Sequence, residues 1–125
     1  MKNKKSYAER IDALLHKQRV NEDEVSKLVI DELSEYAKKY GEKVNGDMVI
    51  FIDGKLDFND DCDGRQLTAT SIIYNEKSPR CKILIEAHYT DEFGEVQYKN
   101  VRLNWMDIYT QVRIAEYIRD KVYKK

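Results

Sequence analysis

The stretch CKILIEAHYT, residues 81–90, has the alternating pattern of a strand with one buried face. Successive side chains of a strand point to opposite faces, so residues of one parity share a face. The apolar parity is Cys81, Ile83, Ile85, Ala87 and Tyr89, and the polar parity includes Lys82, Glu86 and His88. The pattern predicts a sheet that is packed on one side and hydrated on the other.

Two further β-rich segments flank this strand. RQLTATSIIY (65–74) precedes it across the turn NEKSPR (75–80), and EVQYKNVRL (95–103) follows it after a second short turn. Strands joined by such short turns pair antiparallel, because a parallel return needs a crossover of about a dozen residues or more. The apolar residues of the last segment change parity between Tyr98 and Val101, which predicts a β-bulge there.

An earlier segment adds a strand on the N-terminal side. MVIFI (48–52) is a continuous apolar run, which is typical of a strand covered on both faces. The dipeptide Asp53-Gly54 follows it directly and is a two-residue hairpin signal. KLDF (55–58) would be the short partner strand, so the sheet has four strands, or five with this one.

Helices are predicted at both ends of the chain. Ser6 begins a capping box, which favours a short helix over residues 6–19. A second capping pattern at Asn21 precedes a long apolar stripe, and Gly41 follows it as a natural terminator. The second helix is therefore expected over 22–40.

The closing helix begins near Asn104 and Asp107, which together form a capping pattern with Trp105 in the first turn. Its apolar stripe is Ile108, Val112, Ala115, Ile118 and Val122. The predicted fold is an α+β sandwich: an antiparallel meander of four or five strands, with two N-terminal helices and one C-terminal helix on one face. We expect a single domain over 1–125, with residues 1–5 disordered.

Composition narrows the class of protein. Of 125 residues, 42% are apolar and 36% are charged, which argues against disorder, and the net charge of −1 gives no overall attraction for nucleic acid or anionic lipid. No apolar run approaches the ~18–20 residues of a membrane span. Two cysteines and a start without an apolar segment indicate a cytoplasmic protein with reduced thiols.

An acidic segment, LDFNDDCDGRQL (56–67), is the first candidate site. Calcium takes six to eight oxygen ligands. An EF-hand register from Asn59 places Gly64 correctly at the sixth position, but it places Thr70 where a bidentate glutamate belongs. The sequence leaves open a divalent-metal (Ca or Mg) site and a hydrated turn. The candidate ligands are Asp57, Asn59, Asp61 and Asp63.

Catalytic patterns are weak. Aspartates clustered on one loop lack the apolar wall that raises the pKa of a catalytic acid. Cys62, Cys81, His16 and His88 have no metal-binding spacing, and five glycines form no phosphate-binding motif. The sequence therefore predicts no catalytic residues, no cofactor and no enzyme activity.

Nine tyrosines are the other unusual feature. Tyrosine and tryptophan are enriched in protein interfaces, where they give large contact areas and tolerate a wet rim. The favoured function is a non-enzymatic protein-binding domain, such as an adaptor, a chaperone-like subunit, an accessory subunit or a homodimer. Packing at the rim of the core is the alternative. The candidate partner surface is Tyr98, Trp105, Tyr109, Tyr117 and Tyr123.

Single-stranded nucleic acid is a third partner class. Basic and aromatic residues interleave near the C-terminal end, as they do in proteins that stack bases and contact phosphates. Acidic neighbours such as Glu95 and Asp120 disfavour this alternative. The basic residues are Lys99, Arg102, Arg119, Lys121, Lys124 and Lys125.

Overall fold

The structure is a computed structural model that describes residues 6–60, 64–78 and 82–123. Residues 1–5, Cys62 and Cys81, about which the sequence made predictions, lie outside the described residues. The helices are α1 (Tyr7–Leu15), α2 (Glu22–Tyr40) and α3 (Ile108–Tyr123), and a 3₁₀ turn spans Leu103–Trp105. The strands are β1 (Glu42–Val44), β2 (Asp47–Phe51), β3 (Asp57–Asn59), β4 (Gln66–Tyr74), β5 (Ile83–Thr90) and β6 (Val96–Arg102).

The N-terminal helices follow their capping signals. Ser6 accepts a hydrogen bond from the amide of Glu9, and the glutamate closes the capping box. The helix ends at Leu15, so the predicted range of 6–19 was too long. The α2 bounds match the prediction of 22–40, because both of its end signals are local. Ile11 is buried, which docks α1 onto the hydrophobic core.

The start of α3 differs from the prediction. Asp107 is the capping residue: its carboxylate accepts hydrogen bonds from the hydroxyl and the amide of Thr110. The hydroxyl bond, followed by the amide bonds, lowers the pKa of the Asp107 carboxyl. Asn104 and Trp105 lie in the preceding 3₁₀ turn, so the predicted cap at Asn104 was wrong.

The six strands form one antiparallel sheet in the order β1-β2-β4-β5-β6, with β3 also paired to β4. β2 and β3 pair with the same side of β4, at its two ends. The predicted hairpin at Asp53-Gly54 is therefore wrong, because β3 does not pair with β2. Residues 52–56 instead connect β2 to β3, and both of these strands pair with β4.

The sheet has a bulge in a different strand from the one predicted. β5 and β6 pair in one unbroken register from Leu84–Arg102 to Thr90–Val96, so there is no bulge between Tyr98 and Val101. The register shift lies in β4, between Ala69 and Ser71. It changes the parity of β4, so that Leu67 and Ala69 share a face with Ile72 and Tyr74.

One hydrophobic cluster joins all three helices to one face of the sheet. The helices leave the second face uncovered, which confirms the α+β architecture. β2 shows the asymmetry: Ile50 belongs to the cluster, whereas Val49 does not and Phe51 is 50% exposed. The prediction that MVIFI is covered on both faces was therefore wrong at Phe51, whereas Val49 on the same face is buried.

β1 was not predicted, although it has a local signal. Asn45 and Gly46 have φ values of 51° and 89°, the two positive values that a type I′ turn requires. They join β1 to β2 in a two-residue hairpin, with Val44 opposite Asp47. This hairpin places β1 at the edge of the sheet, next to β2. The sheet is therefore five strands wide, because β2 and β3 share one position beside β4.

Candidate functional site

The face of the sheet opposite the helices, here called the open face, includes three cross-strand rows of four or five side chains. The members of a row share this face, because paired residues in neighbouring strands point to the same side of the sheet. None of the described helices packs on the open face. Among its exposed side chains are Phe51 and Tyr98.

The first row, here called the aliphatic row, crosses all five strand positions. The strand register aligns Glu42, Val49, Ile73, Leu84 and Arg102 in that order. Val49 is buried among its neighbours, Ile73 and Leu84 are half-buried, and none of the three belongs to the main core cluster. The row therefore has three aliphatic side chains at its centre, an acid at one end and an arginine at the other.

The second row is mixed in character. It aligns Phe51, Ser71, Glu86 and Asn100. The hydroxyl of Ser71 donates to the carboxylate of Glu86 at 3.2 Å, which holds that charge near the middle of the sheet. Phe51 is half exposed beside the aliphatic row and enlarges its apolar area.

The third row is mainly polar and aligns Asp57, Thr68, His88 and Tyr98. The Thr68 hydroxyl donates to Asp57 at 2.7 Å, and the ring centroids of His88 and Tyr98 are 6.3 Å apart. Tyr98 is 75% exposed. This row supplies hydrogen-bonding groups along one side of the apolar area.

The five predicted partner residues are distributed over β6, the 3₁₀ turn and α3. Tyr98 lies on the open face, and Trp105 borders it, because the guanidinium of Arg102 stacks 4.4 Å from the Trp105 ring centroid. The other three are on α3: Tyr109 is exposed, Tyr117 lies beside Gly54, and Tyr123 packs edge-on against a buried tyrosine of α2. Among the ring contacts of the described residues, none joins two of the five.

The predicted metal ligands are only partly described. Asp57 and Asn59 lie in β3, whereas Asp61 and Asp63 fall outside the described residues. Asp57 already accepts hydrogen bonds from Gln66 and Thr68. Within the described ranges, no group of three or more His, Cys, Asp and Glu side chains is arranged to hold a metal ion.

Three of the predicted nucleic-acid cations bind carboxylates. Lys99 pairs with the buried Asp60, and Lys121 pairs with Asp53 at 3.1 Å. Arg119 binds Glu32. Lys124 and Lys125 lie outside the described residues.

The pair between Glu32 and Arg119 is the most buried ionic group of the helix layer. Glu32 is fully shielded from solvent, and the hydroxyl of Tyr36 also donates to its carboxylate at 2.7 Å. Burial and that hydrogen bond raise the pKa of Tyr36, and the bond to Glu32 raises the pKa of Arg119. With its hydrogen bonds satisfied, the cluster joins α2 to α3 and is structural.

A groove of about 380 Å³ lies between α1 and α3 beside this cluster. Its polar lining residues are Glu9, Asp12, Glu116 and Arg119. The described lining contains no serine, threonine, cysteine or histidine, so it offers no hydroxyl or thiol nucleophile paired with a base.

Comparison with protein-family models, with curated proteins and with solved structures found no match for this chain. None of the helices in the described ranges combines the length and the apolar character needed to cross a bilayer. Sequence reasoning missed the open face because the alignment of its rows depends on the register of strands that are distant in the chain.

Proposed function

We propose that the protein is a non-enzymatic protein-binding domain, acting as an adaptor or accessory subunit, and that it binds through the open face. The observation that carries the proposal is the aliphatic row. Val49, Ile73 and Leu84 lie side by side on a sheet face that no described helix covers. A partner seated there would remove from water the remaining apolar surface of the half-buried Ile73 and Leu84 and that of the exposed Phe51. Burial of apolar surface is the main favourable term in protein association.

The chemistry around the row supports a protein partner over nucleic acid. The row has Glu42 at one end and Arg102 at the other, so it carries no excess of positive charge for phosphates. Tyr98 and Trp105 add large aromatic surfaces at the β6 side, as interface rims often do. The presence of only two cysteines supports a cytoplasmic setting for this binding.

The test compares two substitutions that each introduce a carboxylate. Leu84→Glu places it in the aliphatic row, and Tyr109→Glu places it on the exposed side of α3. Each variant and the unmodified protein are immobilised as bait in a host-cell lysate, after thermal melts have shown that all three fold. Leu84→Ser serves as a milder second variant.

We expect proteins retained by the unmodified bait to be retained by Tyr109→Glu and lost by Leu84→Glu and Leu84→Ser. The reason is that a charge in the row must be desolvated on binding, whereas a charge on α3 stays in water. Retention by Leu84→Glu together with loss by Tyr109→Glu would overturn the proposal. The proposal would also be overturned if the unmodified bait retained neither a host protein nor additional copies of this chain.

A further inference from the structure

We infer that the partner seated on the open face is a second copy of this chain, related by a two-fold axis that runs parallel to β4 and passes over Ile73. The inference rests on the proposed function, because it names the occupant of the same surface. Its basis is the order of side chains along the aliphatic row. Read from either end, the row is complementary to itself.

A two-fold axis of this kind places the two sheets face to face with mirrored strand positions. β4 is the middle of the five positions, so it faces its own copy. β2 then faces β5 of the second copy, and β1 faces β6. Rotation about an axis parallel to the strands preserves position along them, so each row faces the same row of the second copy.

The aliphatic row matches itself at every position under this rotation. Glu42 faces the second copy's Arg102, and Arg102 faces the second copy's Glu42. Val49 faces Leu84 in the same reciprocal way, and Ile73 faces itself. The contact thus has a continuous aliphatic centre and two symmetric ion pairs at its ends, the anatomy of a small interface.

The third row is compatible with this arrangement, and the second row opposes it in part. In the third row, the carboxylate of Asp57 faces the imidazole of His88, which pairs an acceptor with a possible donor. In the second row, Phe51 faces Glu86, whose carboxylate is turned toward Ser71 by their hydrogen bond. The methylene groups of Glu86 are then the surface that the ring meets. The two Glu86 carboxylates, each turned toward Ser71 on the axis, are like charges that weaken the dimer.

The dimensions agree with a modest homodimer. Five strand positions about 4.8 Å apart and a longest strand of nine residues give a face of at most roughly 20 by 30 Å. Because β1 and β3 have only three residues each, the contact is at the lower limit for a specific interface. Packed sheets are rotated by about 30°, so each β4 is tilted by about 15° from the axis and the row ends are displaced by about 5 Å, an offset that glutamate and arginine side chains can span. We therefore expect a concentration-dependent dimer.

The test is sedimentation equilibrium with charge reversals at the two ends of the row. The variants are Glu42→Arg and Arg102→Glu. Each turns both ion pairs of the dimer into like-charge pairs. The matched controls are Glu116→Arg on α3 and Lys43→Glu, which makes the corresponding charge change on the helix side of β1.

Each reversal should raise the dimer dissociation constant by about tenfold or more, and the controls should leave it near that of the unmodified protein. An equimolar mixture of Glu42→Arg and Arg102→Glu should recover the unmodified affinity, because every end pair of the mixed dimer again joins opposite charges. A dimer whose affinity neither reversal changes, or a mixture that does not recover, would overturn the inference.

The failure of this inference is distinguishable from the failure of the proposed function. A purified protein that is monomeric at every concentration overturns the second copy as occupant. If the unmodified bait nevertheless retains a host protein that the Leu84→Glu bait does not, the open face remains a binding surface for that protein. If no protein is lost either, both proposals are overturned.

Discussion

Arg119 on α3 donates two hydrogen bonds, at 2.7 and 2.8 Å, to the carboxylate of Glu32 on α2. The glutamate has no solvent exposure, and the arginine side chain retains 20% of its own. A charge buried without a partner is far more costly than a buried pair. The two helices are therefore held at one position relative to each other, beneath the sheet whose other face is open.

Arg119→Ala should destabilise the protein by about 3 kcal/mol, because it leaves the buried Glu32 without its cation. The value is at the lower end for buried pairs, since the guanidinium is partly hydrated. Arg113→Ala, on the exposed side of the same helix, should cost less than about 1 kcal/mol. Urea unfolding of both variants measures the difference, and equal losses would mean that the buried pair has no special role.

Ile85→Ala should cost roughly 2–5 kcal/mol, because Ile85 is fully buried in the main core. Leu84→Ala, one residue earlier in the same strand, should cost less than about 1.5 kcal/mol in the monomer, because Leu84 lies on the open face and is half-buried. Chemical unfolding at low protein concentration gives both values. A larger loss for Leu84→Ala would mean that the faces of β5 are assigned the wrong way round.

Stability should fall in alkaline solution between about pH 10 and pH 12. Burial, followed by the hydrogen bond to Glu35, raises the pKa of Tyr7 from 10.0 to about 12. A group with a raised folded-state pKa contributes stability that is complete below its unfolded pKa and is lost as the pH rises through the folded value. Tyr36 changes in the same direction, through burial and Glu32.

The alkaline loss should be smaller in Tyr7→Phe than in the unmodified protein, because the variant has no proton to lose at that position. Urea unfolding at about pH 9 and about pH 11 measures the change in each protein. Tyr109→Phe is the control, since Tyr109 is exposed on α3. An alkaline loss that Tyr7→Phe leaves unchanged would contradict the assignment.

Calcium should change the melting temperature by less than about 1 °C at about 10 mM, because Asp57 is already engaged by Thr68 and Gln66. A calcium site of about 1 mM affinity would instead raise the melting temperature by several degrees. Thermal melts in EDTA and in calcium give the comparison. A calcium shift that Asp57→Asn abolishes and Asp47→Asn retains would establish the metal site.

The sequence predicts this fold best where the signals are local. Asn21 and Gly41 lie immediately next to the two ends of α2, and the parity of Ile83 and Ile85 identifies the buried face of β5. The hairpin at Asp53-Gly54 failed for a non-local reason. β3 pairs with β4, which lies farther along the chain, and not with β2. The Asp53-Gly54 dipeptide carries no information about which of these two strands β3 will pair with.

The open face illustrates the same limit. The change of parity in β6 has a simple cause, because Tyr98 faces solvent and Val101 faces the helices in a regular strand. The bulge instead lies between Ala69 and Ser71, where it sets which residues of β4 share a row with β2 and β5. Register of this kind depends on packing across the whole sheet, so the aliphatic row could not be read from the sequence alone.

The most direct test of the central claim, that the open face and not the helix layer is the binding surface, is sedimentation velocity of three proteins over a wide concentration range. The unmodified protein and Tyr109→Glu should both show a sedimentation coefficient that rises with concentration, whereas Leu84→Glu should keep the monomer value throughout. Association that persists in Leu84→Glu and disappears in Tyr109→Glu would contradict the claim.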